Sequence, residues 1–138
     1  MNMEVSKMET IRIAVPSQSP GGLPGKRSEH FGHCDLFTLV DMSEGNITRI
    51  KTVDNAGHGA GGCMMPVKLL QDHNVHMIVV SGMGARPLQG FAKAGIKVLF
   101  APKHSCRDVQ ALIEGVSRNE FAAMQAEQAC QGHGKCRQ

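Results

Sequence analysis

Residues 77–100 read MIVVSGMGARPLQGFAKAGIKVLF, and this stretch decides the fold. Its first four residues are an apolar run typical of a buried strand, and a glycine-containing loop follows them. A helix is predicted over residues 86–94, because Pro87 suits the first turn of a helix and Gly95 suits its end. A second apolar run occupies residues 97–101. This order of strand, helix and strand predicts two parallel strands joined by a crossover helix, the unit of an α/β fold.

The rest of the chain adds strands and helices around this unit. Further strands are predicted over residues 11–15, 36–42 and 47–53, and further helices over residues 64–74 and 108–114. Pro16 is expected to end the first strand. Residues 43–46 (SEGN) have turn chemistry, so the two strands beside them are expected to form an N-terminal antiparallel hairpin. The sequence therefore predicts a single α/β domain with a mixed sheet and helices on its faces.

Composition limits what this domain can do. The chain has 138 residues, 41% hydrophobic and 20% charged, which fits one globular domain. A net charge of +3 and five Phe residues are too little for a nucleic-acid binder. No signal peptide is evident and no apolar run approaches the roughly 18 residues of a membrane helix, so we expect no membrane association and a cytoplasmic location. We expect a flexible arm over residues 1–10, the folded domain over 11–116, and a helical or disordered tail over 117–138.

Thiols and imidazoles are the unusual part of the composition, with five Cys and seven His but no Trp or Tyr. Most of them lie in loops beside predicted strands and helix starts rather than inside those elements. Such a set of side chains suits a metal with sulfur and nitrogen ligands. We expect His58 and Cys63 to be the first ligands and His30 and Cys34 to be the next.

The C-terminal tail contains a second group of this kind. Cys130, His133 and Cys136 lie within seven residues of one another. This group either clasps a metal or consists of incidental thiols on a solvated tail, and the sequence leaves both interpretations open. The chain contains no C-x-x-C pair, so neither a zinc knuckle nor a dithiol redox site is indicated.

Glycines near two predicted helix starts indicate where an anion would bind, because exposed backbone N–H groups at a helix start attract negative charge. The residues expected to contact the ligand are Gly61, Gly62, Gly82, Met83, Gly84 and Arg86. Residues 57–62 also match G-x-G-x-x-G, but the strand before them belongs to the hairpin and no acidic residue ends the next strand. A dinucleotide site is therefore not indicated. We expect a crevice at one end of the sheet that combines N–H donors with metal ligands.

Catalytic patterns are weak in this sequence. Asp35, Asp41 and Asp54 could form the carboxylate cluster of a magnesium-dependent nuclease, but no strand carries a central acid to anchor such a site. No nucleophile elbow is present. We therefore expect a protein that is not an enzyme. The residues indicate a protein that binds a metal through sulfur and nitrogen ligands, and a mononuclear zinc or copper protein with a storage or regulatory role is one candidate.

Several segments together resemble the dinitrogenase iron–molybdenum cofactor biosynthesis family, which includes NifX, NafY, the C-terminal part of NifB and the orange protein of sulfate reducers. The resemblance rests on His30-Phe31-Gly32, on Asn55, and on residues 58–65 (HGAGGCMM) and 81–98 (SGMGARPLQGFAKAGIKV). It covers about residues 11–114. Cys34 departs from the family, whose members often have a small residue there, and Cys106 matches no family motif. Either one is an extra ligand or a buried structural thiol.

The resemblance implies a ribonuclease-H-like α/β fold that serves as a carrier. It implies a metal–sulfur cluster as the cargo, of the iron–sulfur, iron–molybdenum or molybdenum–copper sulfide type. Helix starts and Arg86 would hold the anionic cluster, and His or Cys would anchor it. The expected partners are cluster-assembly proteins or a MinD-type ATPase.

Overall fold

The computed structural model describes residues 10–28, 34–55, 64–102 and 108–123. Its strands are β1 (Ile11–Ser17), β2 (Leu36–Ser43), β3 (Asn46–Asp54), β4 (Met77–Val80), β5 (Lys97–Phe100) and β6 (Ala122–Ala123). Its helices are α1 (Met64–Asp72), α2 (Ala85–Ala94) and α3 (Val109–Ser117). None of these helices is long and apolar enough to cross a membrane.

All six strands form one mixed sheet in the order β3-β2-β1-β4-β5-β6. Strands β1, β4 and β5 are parallel to one another, whereas β2, β3 and β6 each run antiparallel to their neighbours. The unit predicted from residues 77–100 is present, because α2 connects the parallel strands β4 and β5. The prediction of a single α/β domain with a mixed sheet is therefore confirmed.

The sheet separates two apolar cores, because successive side chains of a strand point to opposite faces. On one face, Phe37 and Ile78 pack with Leu70 of α1 and Phe91 of α2. The other face packs against α3. Its core residues are Ile13, Val15, Val40, Val79, Leu99, Val109, Leu112 and Ile113. Helices thus cover both faces, two on one side and one on the other.

Two local predictions were wrong. Strand β1 continues through Pro16, which pairs with Phe37 of β2. A proline has no backbone N–H to donate, but its carbonyl can still accept a hydrogen bond. In Pro16 this carbonyl accepts the Ser28 backbone N–H (N–O 2.7 Å). The second error concerns the chain after α3. Ala122 and Ala123 pair with β5 as a short edge strand, where a helical or disordered tail was expected.

Candidate functional site

The carboxyl edge of the parallel strands is where the predicted ligand-bearing segments start. Ser28, which precedes residues 29–33, donates its backbone N–H to Pro16 at the end of β1. Asn55 precedes residues 56–63 and directly follows β3. The last residue of β3, Asp54, pairs with Leu36 at the start of β2, and Leu36 pairs with Ser17 at the end of β1. Ala101, just before residues 103–107, donates its backbone N–H to the carbonyl oxygen of Val80 at the end of β4 (2.8 Å). Segments that are far apart in the sequence therefore originate at one edge, where α/β sheets bind ligands.

Asn55 joins the origins of two of these segments. Its side chain is 2% exposed, and its amide nitrogen Nδ2 donates to the carbonyl oxygen of Cys34 at 3.0 Å. Its backbone N–H donates to the carbonyl oxygen of Asp35 at 3.1 Å. These bonds hold the residue that precedes 56–63 against the residue that follows 29–33. The sequence singled out Asn55 only through the family resemblance and its position directly after a strand, and neither indicates these partners.

Arg27 fixes the origin of a third segment. Its guanidinium is buried, with 5% of the residue exposed, and donates to the carbonyl oxygens of Pro102 (Nη1, 3.0 Å) and Ala101 (Nη2, 2.9 Å). Hydrogen bonds from a charged donor are stronger than neutral ones, so this contact is a firm anchor for residues 101–102. Sequence reasoning missed Arg27, because a single arginine in a loop gives no indication of a partner 74 residues away.

The start of α2 brings three of the predicted binding residues together. Gly84 is the N-cap, and no side chain caps this helix start. Within the described ranges, no residue accepts a hydrogen bond from the backbone N–H of Ala85 or Arg86. Arg86 is exposed in the first turn and adds a positive charge. N–H groups that have no acceptor in the described ranges, the positive end of the helix dipole and a cation are together favourable for an anion.

The two glycines before α2 leave space at this helix start. A Cβ added to Gly82 would meet no described atom within 4 Å. A Cβ added to Gly84 would meet only the ring of Pro87, at an ordinary contact distance of 3.6 Å. Neither glycine has the positive φ that would demand glycine. Within the described ranges, neither packing nor backbone conformation requires these two glycines, and a glycine allows other atoms to come close to the backbone.

The structure places two other predicted site residues in the core. Met83 is buried on the α1 and α2 side of the sheet. Cys34 is 2% exposed in the same core, and its sulfur lies 3.6 Å from the Asn55 amide nitrogen. Burial raises the pKa of the Cys34 thiol to about 12, and hydrogen bonds from Ser17 and Asn55 lower it by less. The thiol is therefore neutral at physiological pH in the protein without cargo.

The remaining predicted ligands and glycines lie outside the described residues. They are His30, His58, Gly61, Gly62, Cys63, Cys130, His133 and Cys136. Their roles stay predictions. What the described structure adds is that the residues next to 29–33 and 56–63 lie at the same edge as the start of α2.

The acidic residues considered for a nuclease do not form one cluster. Asp41 receives two hydrogen bonds from the Arg12 guanidinium, at 2.7 and 3.1 Å, which lower the pKa of its carboxyl. Asp54 lies at the other end of the β2–β3 pair, and Asp35 accepts the Ser19 backbone N–H. Among the described residues, no three His, Cys, Asp or Glu side chains are placed to share a metal ion.

Comparison with known proteins agrees with this architecture. The family described as dinitrogenase iron-molybdenum cofactor matches residues 9–119. An uncharacterised protein of Methanocaldococcus jannaschii is 26% identical over an alignment of 117 residues, which covers 81% of this chain and 93% of that protein.

Solved structures show the same fold. The apo form of the orange protein of Desulfovibrio gigas has a TM-score of 0.69 at 23% identity, over 85% of this chain and 95% of that one. A candidate NifB protein of Thermotoga has a TM-score of 0.65 at 25% identity, over 82% of this chain and 92% of that one. In each comparison the similarity therefore covers more than four fifths of this chain and more than nine tenths of the solved structure.

Proposed function

Because the chain belongs to the dinitrogenase iron–molybdenum cofactor family, we propose that it binds an anionic metal–sulfur cluster and carries or stores it for cofactor assembly. The observation that supports this proposal best is the open start of α2. Its backbone donors and Arg86 are available to a negatively charged ligand, and Gly82 and Gly84 leave room for that ligand to come close.

Soft ligands complete the proposed site. Thiolates and imidazoles suit the metals of an iron–sulfur, iron–molybdenum or molybdenum–copper sulfide cluster. His58 and Cys63 are our first candidates, followed by His30 and Cys34, and their segments originate at the same sheet edge as the start of α2. Binding through Cys34 would require the buried thiol to release its proton to solvent so that the thiolate can bind the metal. We therefore rank Cys34 below the other three.

The remaining parts of the proposal rest on the family. We propose a carrier that does not itself catalyse a reaction, with a sheet of the ribonuclease-H-like class. A carrier must receive and deliver its cargo, so we expect cluster-assembly proteins or a MinD-type ATPase as partners. The cytoplasm is the expected location, since reduced thiols persist there.

Purification without oxygen, followed by metal and sulfide analysis and a visible spectrum, tests the proposed function. The chain contains no Trp or Tyr, so the protein alone absorbs little at 280 nm and cluster absorption will stand out. We expect bound metal with a comparable amount of sulfide and visible sulfide-to-metal charge-transfer bands. Bound zinc or copper without sulfide would support the mononuclear alternative instead. No uptake of metal or cluster would contradict both.

A pair of arginine variants connects the cargo to the start of α2. Arg86→Gln removes the charge beside the first N–H groups of α2. We expect the cluster to dissociate several-fold faster from this variant than from the wild-type protein. Arg118→Gln is the matched control, because it removes the same charge from an exposed position after α3. Equal cluster retention by the two variants would show that the start of α2 does not hold the cargo.

A further inference from the structure

Strand β3 is an open edge of the sheet. It is first in the strand order and pairs only with β2 among the described residues. It is nine residues long, and all of them are exposed except Val53, which is half-buried. A long strand edge presents a row of backbone N–H and C=O groups that can pair with another strand. The side chains of β3 determine what kind of strand that can be.

A bulge gives the two faces of β3 different chemistry. Arg49 pairs with Asp41 and Ile47 pairs with Met42, so Thr48 is an extra residue in β3. This extra residue places Ile47 on the same face as Ile50. Both isoleucines are unusually exposed, at 38% and 41%. Without the bulge, the alternation of side chains would put these two residues on opposite faces.

The opposite face of β3 is positively charged. Arg49 and Lys51 lie on it, and both are exposed. Arg49 lies opposite Asp41, but that carboxylate already accepts two hydrogen bonds from Arg12. Lys51 lies opposite Leu39, which carries no charge. This face therefore has more positive than negative charge.

We propose that the outer edge of β3 binds an extended segment of a partner protein in which acidic and apolar side chains alternate. The segment adds a strand to the sheet through main-chain hydrogen bonds. Its acidic side chains face Arg49 and Lys51, and its apolar side chains cover Ile47 and Ile50. Opposite charges on neighbouring strands stabilise the pairing, and like charges oppose it.

Charge also argues against a second copy of this chain as the occupant. Two β3 strands related by a two-fold axis pair in antiparallel fashion. If Ile50 is at the centre, Arg49 of one copy faces Lys51 of the other. If Lys51 is at the centre, the two lysines face each other. Both registers place like charges directly opposite, which destabilises the pair.

This surface is separate from the start of α2. Strands β2 and β1 lie between β3 and β4, and α2 begins after β4. A partner bound at β3 therefore leaves the start of α2 accessible. The inference depends on the open edge and its charges, so its test does not require the cargo.

Peptide binding to the full chain tests the inference. The probe is a fluorescently labelled nine-residue peptide in which Glu and Val alternate, and binding is followed by fluorescence anisotropy. We expect saturable binding that weakens as salt increases. The double variant Arg49→Glu with Lys51→Glu should bind at least about tenfold more weakly, because it turns two attractive cross-strand pairs into repulsive ones. The control Lys93→Glu with Lys97→Glu makes the same charge change at exposed positions on the β5 side and should change affinity less than about twofold.

Backbone methylation distinguishes strand addition from simple charge attraction. Two versions of the peptide carry N-methyl groups on every second residue. One version is methylated at the odd-numbered positions and the other at the even-numbered positions. Only one set faces β3 in an added strand, so one version should lose binding and the other should keep it. Equal binding of the two versions, or no binding of the parent peptide, would overturn the inference. So would sedimentation showing a dimer that the Arg49 and Lys51 double variant dissociates, because the occupant would then be a second copy.

Discussion

Two helices begin at the same edge of the sheet, and their first turns differ. The first three backbone N–H groups of α3 are all bonded: two donate to the carbonyl oxygens of Gly25 and Leu23, and the third donates to the Asp108 side chain. In α2, the corresponding N–H groups of Ala85 and Arg86 have no acceptor among the described residues. The described chain supplies acceptors for the first N–H groups of α3, whereas its described ranges supply none for those of α2.

The glycines near the two helix starts differ in the same way. Gly21 has a φ of +78°, and a Cβ on it would lie 2.6 Å from the side chain of Leu36. A Cβ on Gly25 would lie 2.6 Å from the backbone of Gly21. Packing thus requires Gly21 and Gly25 in the loop that closes α3, whereas no contact among the described residues requires Gly82 or Gly84. A glycine-rich loop indicates a ligand only where packing does not already explain the glycines.

The largest expected effect concerns the closed start. Gly25→Ala forces a Cβ against backbone atoms that cannot move aside without shifting the loop, so we expect a loss of about 2–3 kcal/mol in the free energy of unfolding. Urea denaturation measures this loss. The same substitution at Gly82 is the control. If Gly25→Ala were as stable as Gly82→Ala, the contrast between the two loops would not hold.

The buried thiol of Cys34 makes the free energy of unfolding depend on pH. Its pKa is about 12 in the folded protein and lies near 9 for an exposed thiol, so the unfolded chain loses this proton first as pH rises. The Cys34 contribution to stability is therefore intact below about pH 8 and decreases between pH 9 and 12. We expect the wild-type protein to lose about 1–2 kcal/mol more than Cys34→Ala between pH 7 and pH 10.

Denaturation curves of both proteins at the two pH values provide this comparison. Because both proteins share every other titrating group, their difference isolates Cys34. An equal loss in the two proteins would mean that the folded protein does not hold the thiol in its neutral form.

The side-chain cap of α3 has a smaller expected effect. Asp108→Ala removes the acceptor of the Ala111 N–H bond (2.8 Å), and we expect a loss of about 1 kcal/mol. Asp108→Ser keeps an oxygen at this position and should retain most of the stability. Thermal or urea unfolding of the two variants measures the difference. If both variants lost the same amount, the cap would not contribute to closing this helix start.

The smallest effect on stability is expected at the open start. Gly82→Ala adds a methyl group where no described atom lies within 4 Å, so the free energy of unfolding should change by less than about 0.5 kcal/mol. The methyl group would occupy space beside the N–H donors of α2, and we expect reduced cluster content after anaerobic purification. Unchanged cluster content would mean that the cargo does not approach Gly82.

Local sequence was enough to predict the central unit of the fold. Pro87 and Gly95 mark the two ends of α2, and Gly95 has the left-handed conformation (φ 80°) that ends a helix. The apolar runs beside them are the strands β4 and β5. By contrast, Pro16 was misread because its effect on a strand depends on whether its missing N–H would have had a partner. The carbonyl of Pro16 still pairs, because it accepts the backbone N–H of Ser28 from a different part of the chain.

The candidate site was only partly predictable for the same reason. Gly82, Gly84 and Arg86 could be proposed from the sequence because a glycine loop before a helix has a recognisable local pattern. Asn55 and Arg27 position the neighbouring segments, and each acts through a carbonyl oxygen that any residue could provide. Such partners leave no trace in composition or spacing. The placement of Cys34 in the core was also open in the sequence, since a cysteine beside a loop suits both roles.

The conformational preferences of neighbouring residues were enough to specify the strands β2 to β5, the crossover helix and the chemistry available to the protein. Which helix start the described chain closes depends on long-range contacts instead. That outcome depends on the carbonyls of Leu23 and Gly25 reaching the first turn of α3 from a distant loop. Helix starts look alike in sequence because every helix has unpaired N–H groups, and long-range packing alone determines which of them the chain bonds to itself.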